Sequence, residues 1–63
     1  MASYRVYFFD CSSRVVGLEI LECEDDAAAQ RAANALTKER NSKRAELWCR
    51  DRLIERFDRV HPA

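Results

Sequence analysis

Residues 25–40 are the only stretch of this 63-residue chain that reads as a helix, and extended, alternating segments lie on both sides of it. Asp25 is placed to cap the helix, because a carboxylate there can accept from the free backbone N–H groups of the first turn. Glu24 and Asp26 add negative charge at the positive end of the helix dipole. Alanine, the strongest helix former, fills much of the segment. Ala28, Ala29, Ala32, Ala35 and Leu36 form an apolar stripe at helical spacing, with Gln30, Arg31, Asn34 and Lys38 on the other side. Lys38 and Arg40 fall in the last turn, where cations are favoured, and Asn41 is the expected stop. An alanine-lined stripe lets a helix lie close on a sheet. A helix that reads DNA would start basic, and this one starts acidic.

The flanking segments follow a two-residue period. Residues 4–9 and 15–23 are rich in aromatic and β-branched side chains, and the polar run 10–14 between them reads as a hairpin turn. A loop of about three residues would place Phe8 opposite Val16, Val6 opposite Leu18 and Tyr4 opposite Ile20, all on one apolar face. The other face would pair Arg5 with Glu19 and Tyr7 with Gly17. After the helix, residues 44–49 and 52–57 form a second hairpin around Arg50-Asp51. There Leu47, Ile54, Ala45 and Cys49 share one side, and Trp48, Leu53, Phe57, Glu46 and Glu55 share the other. The expected architecture is α+β, with the order ββαββ. It is a four-stranded antiparallel sheet of strand order 2-1-3-4, with one helix packed on one face. The segment after residue 57, with His61 and Pro62, should fray.

Length and charge limit the function classes. The chain makes one small domain, residues 1–63, with a correspondingly small core. Lys+Arg and Asp+Glu both number 11, so the net charge is zero, which argues against a duplex-DNA partner. Residues 1–36 carry three basic and six acidic groups, and residues 37–63 carry eight and five. This −3/+3 split could orient a partner or a second copy of the chain. No apolar run is long enough for a membrane span and no signal peptide is evident, so a cytoplasmic setting is expected. Cys11, Cys23 and Cys49 are odd in number and are expected as free thiols.

One helix covers one face of the sheet. The other face is expected to carry Tyr7, Phe9, Val15, Trp48, Leu53 and Phe57, and a contiguous apolar patch of that kind calls for a cover. The leading expectation is a homodimer packed through this face. The alternative is a single-stranded nucleic-acid module in which Tyr7, Phe9 and Trp48 stack bases beside Arg5, Arg14, Arg50 and Arg52. Zero net charge, with Glu19, Glu46 and Glu55 expected on the same face, weighs against it. No enzyme signature is present. The single histidine falls in the tail, and the cysteines have no metal-ligand spacing. Gly17 is the only glycine, so no phosphate-cradling loop exists, and the acids at 22–26 lack calcium-loop spacing. No cofactor or metal is expected, and the protein reads as a non-enzymatic, self-associating interaction module.

Three runs of residues carry a resemblance. They are Tyr4-Arg5-Val6-Tyr7-Phe8-Phe9-Asp10, Cys23-Glu24-Asp25-Asp26-Ala27-Ala28-Ala29, and Glu46-Leu47-Trp48 with Asp51-Arg52-Leu53-Ile54. Together the chain resembles a group of uncharacterised alphaproteobacterial proteins of about this length. Members of that group usually carry Gly where this chain has Ser13 and Arg50. The resemblance implies the ββαββ fold and a bacterial cytosolic setting, with no activity or site residues to transfer.

Overall fold

The computed structural model describes residues 1–58. The elements are β1 (Ala2–Phe9), β2 (Val15–Cys23), α1 (Asp26–Glu39), β3 (Arg44–Cys49) and β4 (Arg52–Asp58). The strands form one antiparallel sheet in the order β2-β1-β3-β4, with α1 on one face. This is the expected α+β architecture. Asp58, expected to begin a fraying tail, instead ends β4 opposite Arg44, and the rest of that tail, residues 59–63 with His61 and Pro62, lies outside the described residues.

The helix is bounded by side-chain chemistry at one end and backbone chemistry at the other. The Asp25 carboxylate accepts from the Ala28 N–H at 2.8 Å. At the far end Asn41 adopts a left-handed φ of 55°. The Ser42 N–H then donates to the Thr37 carbonyl and the Asn41 N–H to the Lys38 carbonyl, both at 3.0 Å, which satisfies carbonyls the helix leaves open. The buried stripe of α1 is Ala29, Ala33 and Thr37, rotated from the expected one, and Ala35 is exposed. The smallest side chains take the line of closest approach to the sheet, and Leu36 packs at the flank. Thr37 is tolerated in the core because its hydroxyl donates to the Ala33 carbonyl at 2.7 Å.

Both hairpin loops have the expected length, but a bulge follows each and reverses the faces beyond it. In the first hairpin Phe9 faces Val15 as expected. Val16 is then skipped, so Phe8 faces Gly17, Val6 faces Glu19 and Tyr4 faces Leu21. Val16, Leu18 and Ile20, expected in the core, are exposed. The expected Arg5–Glu19 and Tyr7–Gly17 pairs do not form, and Arg5 faces Ile20 while Tyr7 faces Leu18. The observed register gives Arg40 a seat. Its guanidinium stacks 4.4 Å from the Phe8 ring centroid and pairs with Glu19 at 3.0 Å. A Cβ on Gly17 would collide with that guanidinium. Glycine thus leaves room for the guanidinium, and a larger residue here would make the flexible Arg40 side chain shift.

In the second hairpin Trp48 faces Leu53, after which Ile54 is skipped. Phe57 therefore turns to the helix side opposite Ala45 and joins the core, contrary to its expected place on the open face. The reason lies in charge and size. Without the bulge Glu46 would face Glu55 and Arg44 would face Phe57. With it Glu46 faces Arg56, at 3.3 Å, and Arg44 faces Asp58, at 3.9 Å. Opposite charges across strands are favoured and like charges are not.

The core is thus Tyr4, Val6, Phe8, Ala45, Leu47 and Phe57 from the sheet against Ala29 and Ala33 of the helix. Ser13 and Arg50 hold left-handed φ values of 64° and 59° in the two loops. Left-handed backbone costs a residue with a Cβ about 1–2 kcal/mol. Arg50→Gly should relieve most of that, offset in part by the greater freedom of the unfolded chain. A net gain of about 0.5–1 kcal/mol in urea unfolding is expected. A loss of stability would contradict this account of the loop.

Candidate functional site: the open sheet face

The face opposite α1 is a grid read directly from the register. Its upper rung is Val15, Phe9, Arg44 and Asp58, and its middle rung is Leu18, Tyr7, Glu46 and Arg56. Its lower rung is Ile20, Arg5, Trp48 and Leu53. Five of the six residues expected to line this surface are on it: Tyr7, Phe9, Val15, Trp48 and Leu53. Phe57 is not. Leu18 and Ile20 were assigned to the core and belong here instead. The only local cue to that exchange is the bulge at Val16, which no residue type in the sequence announces.

The grid divides into two chemistries. The β1–β2 half and the lower rung are apolar apart from Arg5. Val15, Leu18, Ile20 and Leu53 are 55%, 48%, 58% and 37% exposed, values far from those of a covered side chain. The upper corner on β3 and β4 is charged, and its charges are already matched. Glu46 accepts from the Trp48 indole N–H at 3.0 Å and pairs with Arg56. Arg44 donates to the Ser13 hydroxyl at 2.8 Å and pairs with Asp58. Arg5 lies over Tyr7, 5.8 Å from the ring centroid, and donates to the Arg50 carbonyl. Covering groups that are already partnered costs much less than covering bare charges. A shallow groove of ≈ 410 Å³ runs along Arg5, Tyr7, Phe9, Val15 and Trp48.

Two of the acids expected beside the aromatics lie elsewhere. Glu19 and Glu55 face the helix side, opposite Val6 and Leu47. Arg52 is also on that side, 3.4 Å from Asp26. The Tyr4 hydroxyl donates to the same Asp26 carboxylate at 2.8 Å. That hydrogen bond, with burial and the nearby negative charge, pushes Tyr4 up to about 12. A raised folded value means the contribution is complete below the ordinary tyrosine pKa of about 10 and is lost as pH rises toward 12. Near-ultraviolet absorbance should therefore show one tyrosinate forming late. Urea stability should hold to about pH 10 and fall above it. Early ionisation of both tyrosines would contradict the Tyr4–Asp26 bond.

Among the described residues no group of three or more His, Cys, Asp and Glu is arranged to hold a metal ion. Cys11 is exposed, Cys23 and Cys49 are half-buried, and all three are free thiols. Among the described residues no helix is long and apolar enough to cross a membrane. No protein-family model, curated protein or solved structure matches the chain.

Proposed function

We infer that this protein is a non-enzymatic interaction module that self-associates by packing its open sheet face against that of a second copy. The observation that carries the reading is the apolar share of that face: Leu18, Ile20 and Val15 beside Tyr7, Phe9, Trp48 and Leu53. Tyr7, Phe9 and Trp48 are already half-buried in the single chain, so a cover removes only the remainder of the about 150–250 Å² each ring can bury, and the exposed Val15, Leu18, Ile20 and Leu53 add to it. A domain of this size has a net stability on the order of only 5 kcal/mol. Self-complementary contact also suits a chain of zero net charge, and the paired corner of Glu46, Arg56, Arg44 and Asp58 fits a polar rim. The setting proposed is the cytoplasm, where three unpaired thiols persist.

Trp48 is the only tryptophan and reports on its own burial. In wild-type protein its emission should be blue-shifted at high concentration and move to the red on dilution. Leu53→Glu, which places a charge opposite Trp48, should show the diluted spectrum throughout. Emission that ignores both concentration and the substitution would overturn the reading. If a concentration-independent Trp48 were then quenched by single-stranded oligonucleotides, base stacking on this face would replace it.

A further inference from the structure

The charged corner of the open face alternates in sign in both directions. Its upper rung carries Arg44 and then Asp58, and its middle rung carries Glu46 and then Arg56. Each charge has an opposite one across the hairpin, Arg44 with Asp58 at 3.9 Å and Arg56 with Glu46 at 3.3 Å. Each also has an opposite one two residues away on its own strand, which shares its side of the sheet. The Arg44, Asp58 and Arg56 side chains are 46%, 51% and 66% exposed, so they are open to a further partner. On the apolar half the same two rungs carry Val15 and Phe9, then Leu18 and Tyr7.

Two copies packed through their open faces are related by a two-fold axis lying between the sheets, and aligned sheets leave that axis close to along the strands or close to across them. Its position decides which side chains meet. Along the strands between β1 and β3, it lays the apolar half on the charged corner, with Leu18 on the partner's Arg56. That covers charges without pairing them, which is costly. Along the strands between β3 and β4, it matches the charges but leaves Val15, Leu18 and Ile20 beyond the partner's outer strand. Across the strands on the middle rung, it sets Glu46 on the partner's Glu46. On the lower rung it sets Arg5 on the partner's Arg5, and between those two rungs it sets Arg56 on the partner's Leu53.

We propose, building on that self-association, that the axis crosses the strands between the upper and middle rungs, so that Arg44 meets the partner's Glu46 and Arg56 meets the partner's Asp58. Each contact occurs twice by symmetry. The same axis lays Val15 on the partner's Leu18 and Phe9 on the partner's Tyr7. Every facing pair on these two rungs is then apolar with apolar or opposite in charge. Packed sheets lie about 10 Å apart, a gap that arginine and glutamate side chains reaching in from both sides can span. The strands of the two copies run antiparallel, and the lower rung lies toward the partner's 10–14 loop. Charge matching of this kind fixes the register of a contact more than it adds affinity, which comes from the apolar half.

Sedimentation equilibrium at low salt under reducing conditions, on wild type and three charge variants, tests the axis, with circular dichroism to check that each variant keeps its fold. Glu46→Arg puts an arginine against the partner's Arg44, twice by symmetry, and should weaken association on the order of ten-fold or more. Arg44→Glu/Glu46→Arg exchanges the charges along one strand. It spoils both ion pairs inside the chain but restores opposite charges between copies, so association should recover. Glu46→Arg/Arg56→Glu exchanges them across the hairpin. It keeps that pair inside the chain but sets like charges together between copies, so association should stay weak. Wild type supplies a check that needs no substitution: its association should weaken as sodium chloride is raised. Recovery in the second double variant rather than the first would move the axis to lie along the strands and overturn the inference. Recovery in both or in neither, or an association that holds or tightens with salt, would also overturn it. A two-copy wild type with the wrong pattern of recovery sinks the axis alone, whereas a single-chain wild type at every concentration sinks the self-association and the axis with it.

Discussion

Phe57→Ala is expected to lower stability by about 3–5 kcal/mol, enough to leave a domain of this size largely unfolded. Phe57 is 9% exposed and packs in the core opposite Ala45. Removing its ring leaves a cavity between β3, β4 and the helix, and a neighbour as small as Ala45 cannot fill it. The control is Leu53→Ala, four residues earlier on the same strand. Leu53 is on the open face and 37% exposed, so its truncation should cost less than about 1 kcal/mol in urea unfolding at a fixed, low protein concentration. The bulge at Ile54 is what separates these two outcomes. In an unbulged strand the two residues would share a face and behave alike, so equal costs would contradict the register.

The second large effect concerns the helix. Ala33→Leu is expected to cost about 1–3 kcal/mol or more, because Ala33 is fully buried where α1 lies closest to the sheet. An isobutyl group there must lift the helix away from the sheet or force strained side-chain rotamers. Ala35→Leu should be close to neutral, since Ala35 points to solvent and leucine is itself a good helix former. Thermal unfolding of the pair at one concentration decides the matter. A neutral Ala33→Leu together with a costly Ala35→Leu would place the buried stripe where the sequence spacing alone suggests it.

Those two comparisons mark where the sequence is legible and where it is not. The helix ends were readable because Asp25 caps with its own side chain and Asn41 tolerates the left-handed backbone that ends a helix. The order of elements and the loop lengths followed from turn residues and alternation, and the strand order from keeping neighbours antiparallel with a right-handed crossover through the helix. The faces of β2 and β4 did not. Alternation has a period of two, so a single skipped residue reverses every side chain beyond it while leaving the pattern intact. For β4 a cue existed: an unbulged register sets Glu46 against Glu55, and skipping Ile54 replaces that clash with Arg56. For β2 the cue is distant. Gly17 and Glu19 make sense on the helix side only once Arg40, at the far end of α1, is known to lie over them. The helix stripe was misplaced for a related reason. Leu36, the largest apolar side chain, marks the flank, and a polar residue, Thr37, sits in the core because it bonds its own helix backbone.

The candidate surface was legible in kind and shifted in detail. Tyr7, Phe9, Val15, Trp48 and Leu53 fall on the open face, Phe57 leaves it, and Leu18 and Ile20 enter it. The exchange makes the face more aliphatic and moves its apolar centre toward β1 and β2. It also removes two of the three acids expected beside the aromatics.

Whether a second copy covers that face is decided most directly by sedimentation equilibrium of the wild-type protein, under reducing conditions and across a wide concentration range. The account predicts a mass that is a multiple of the 7.4 kDa chain at the upper concentrations and falls on dilution. A single-chain mass at every concentration would contradict it.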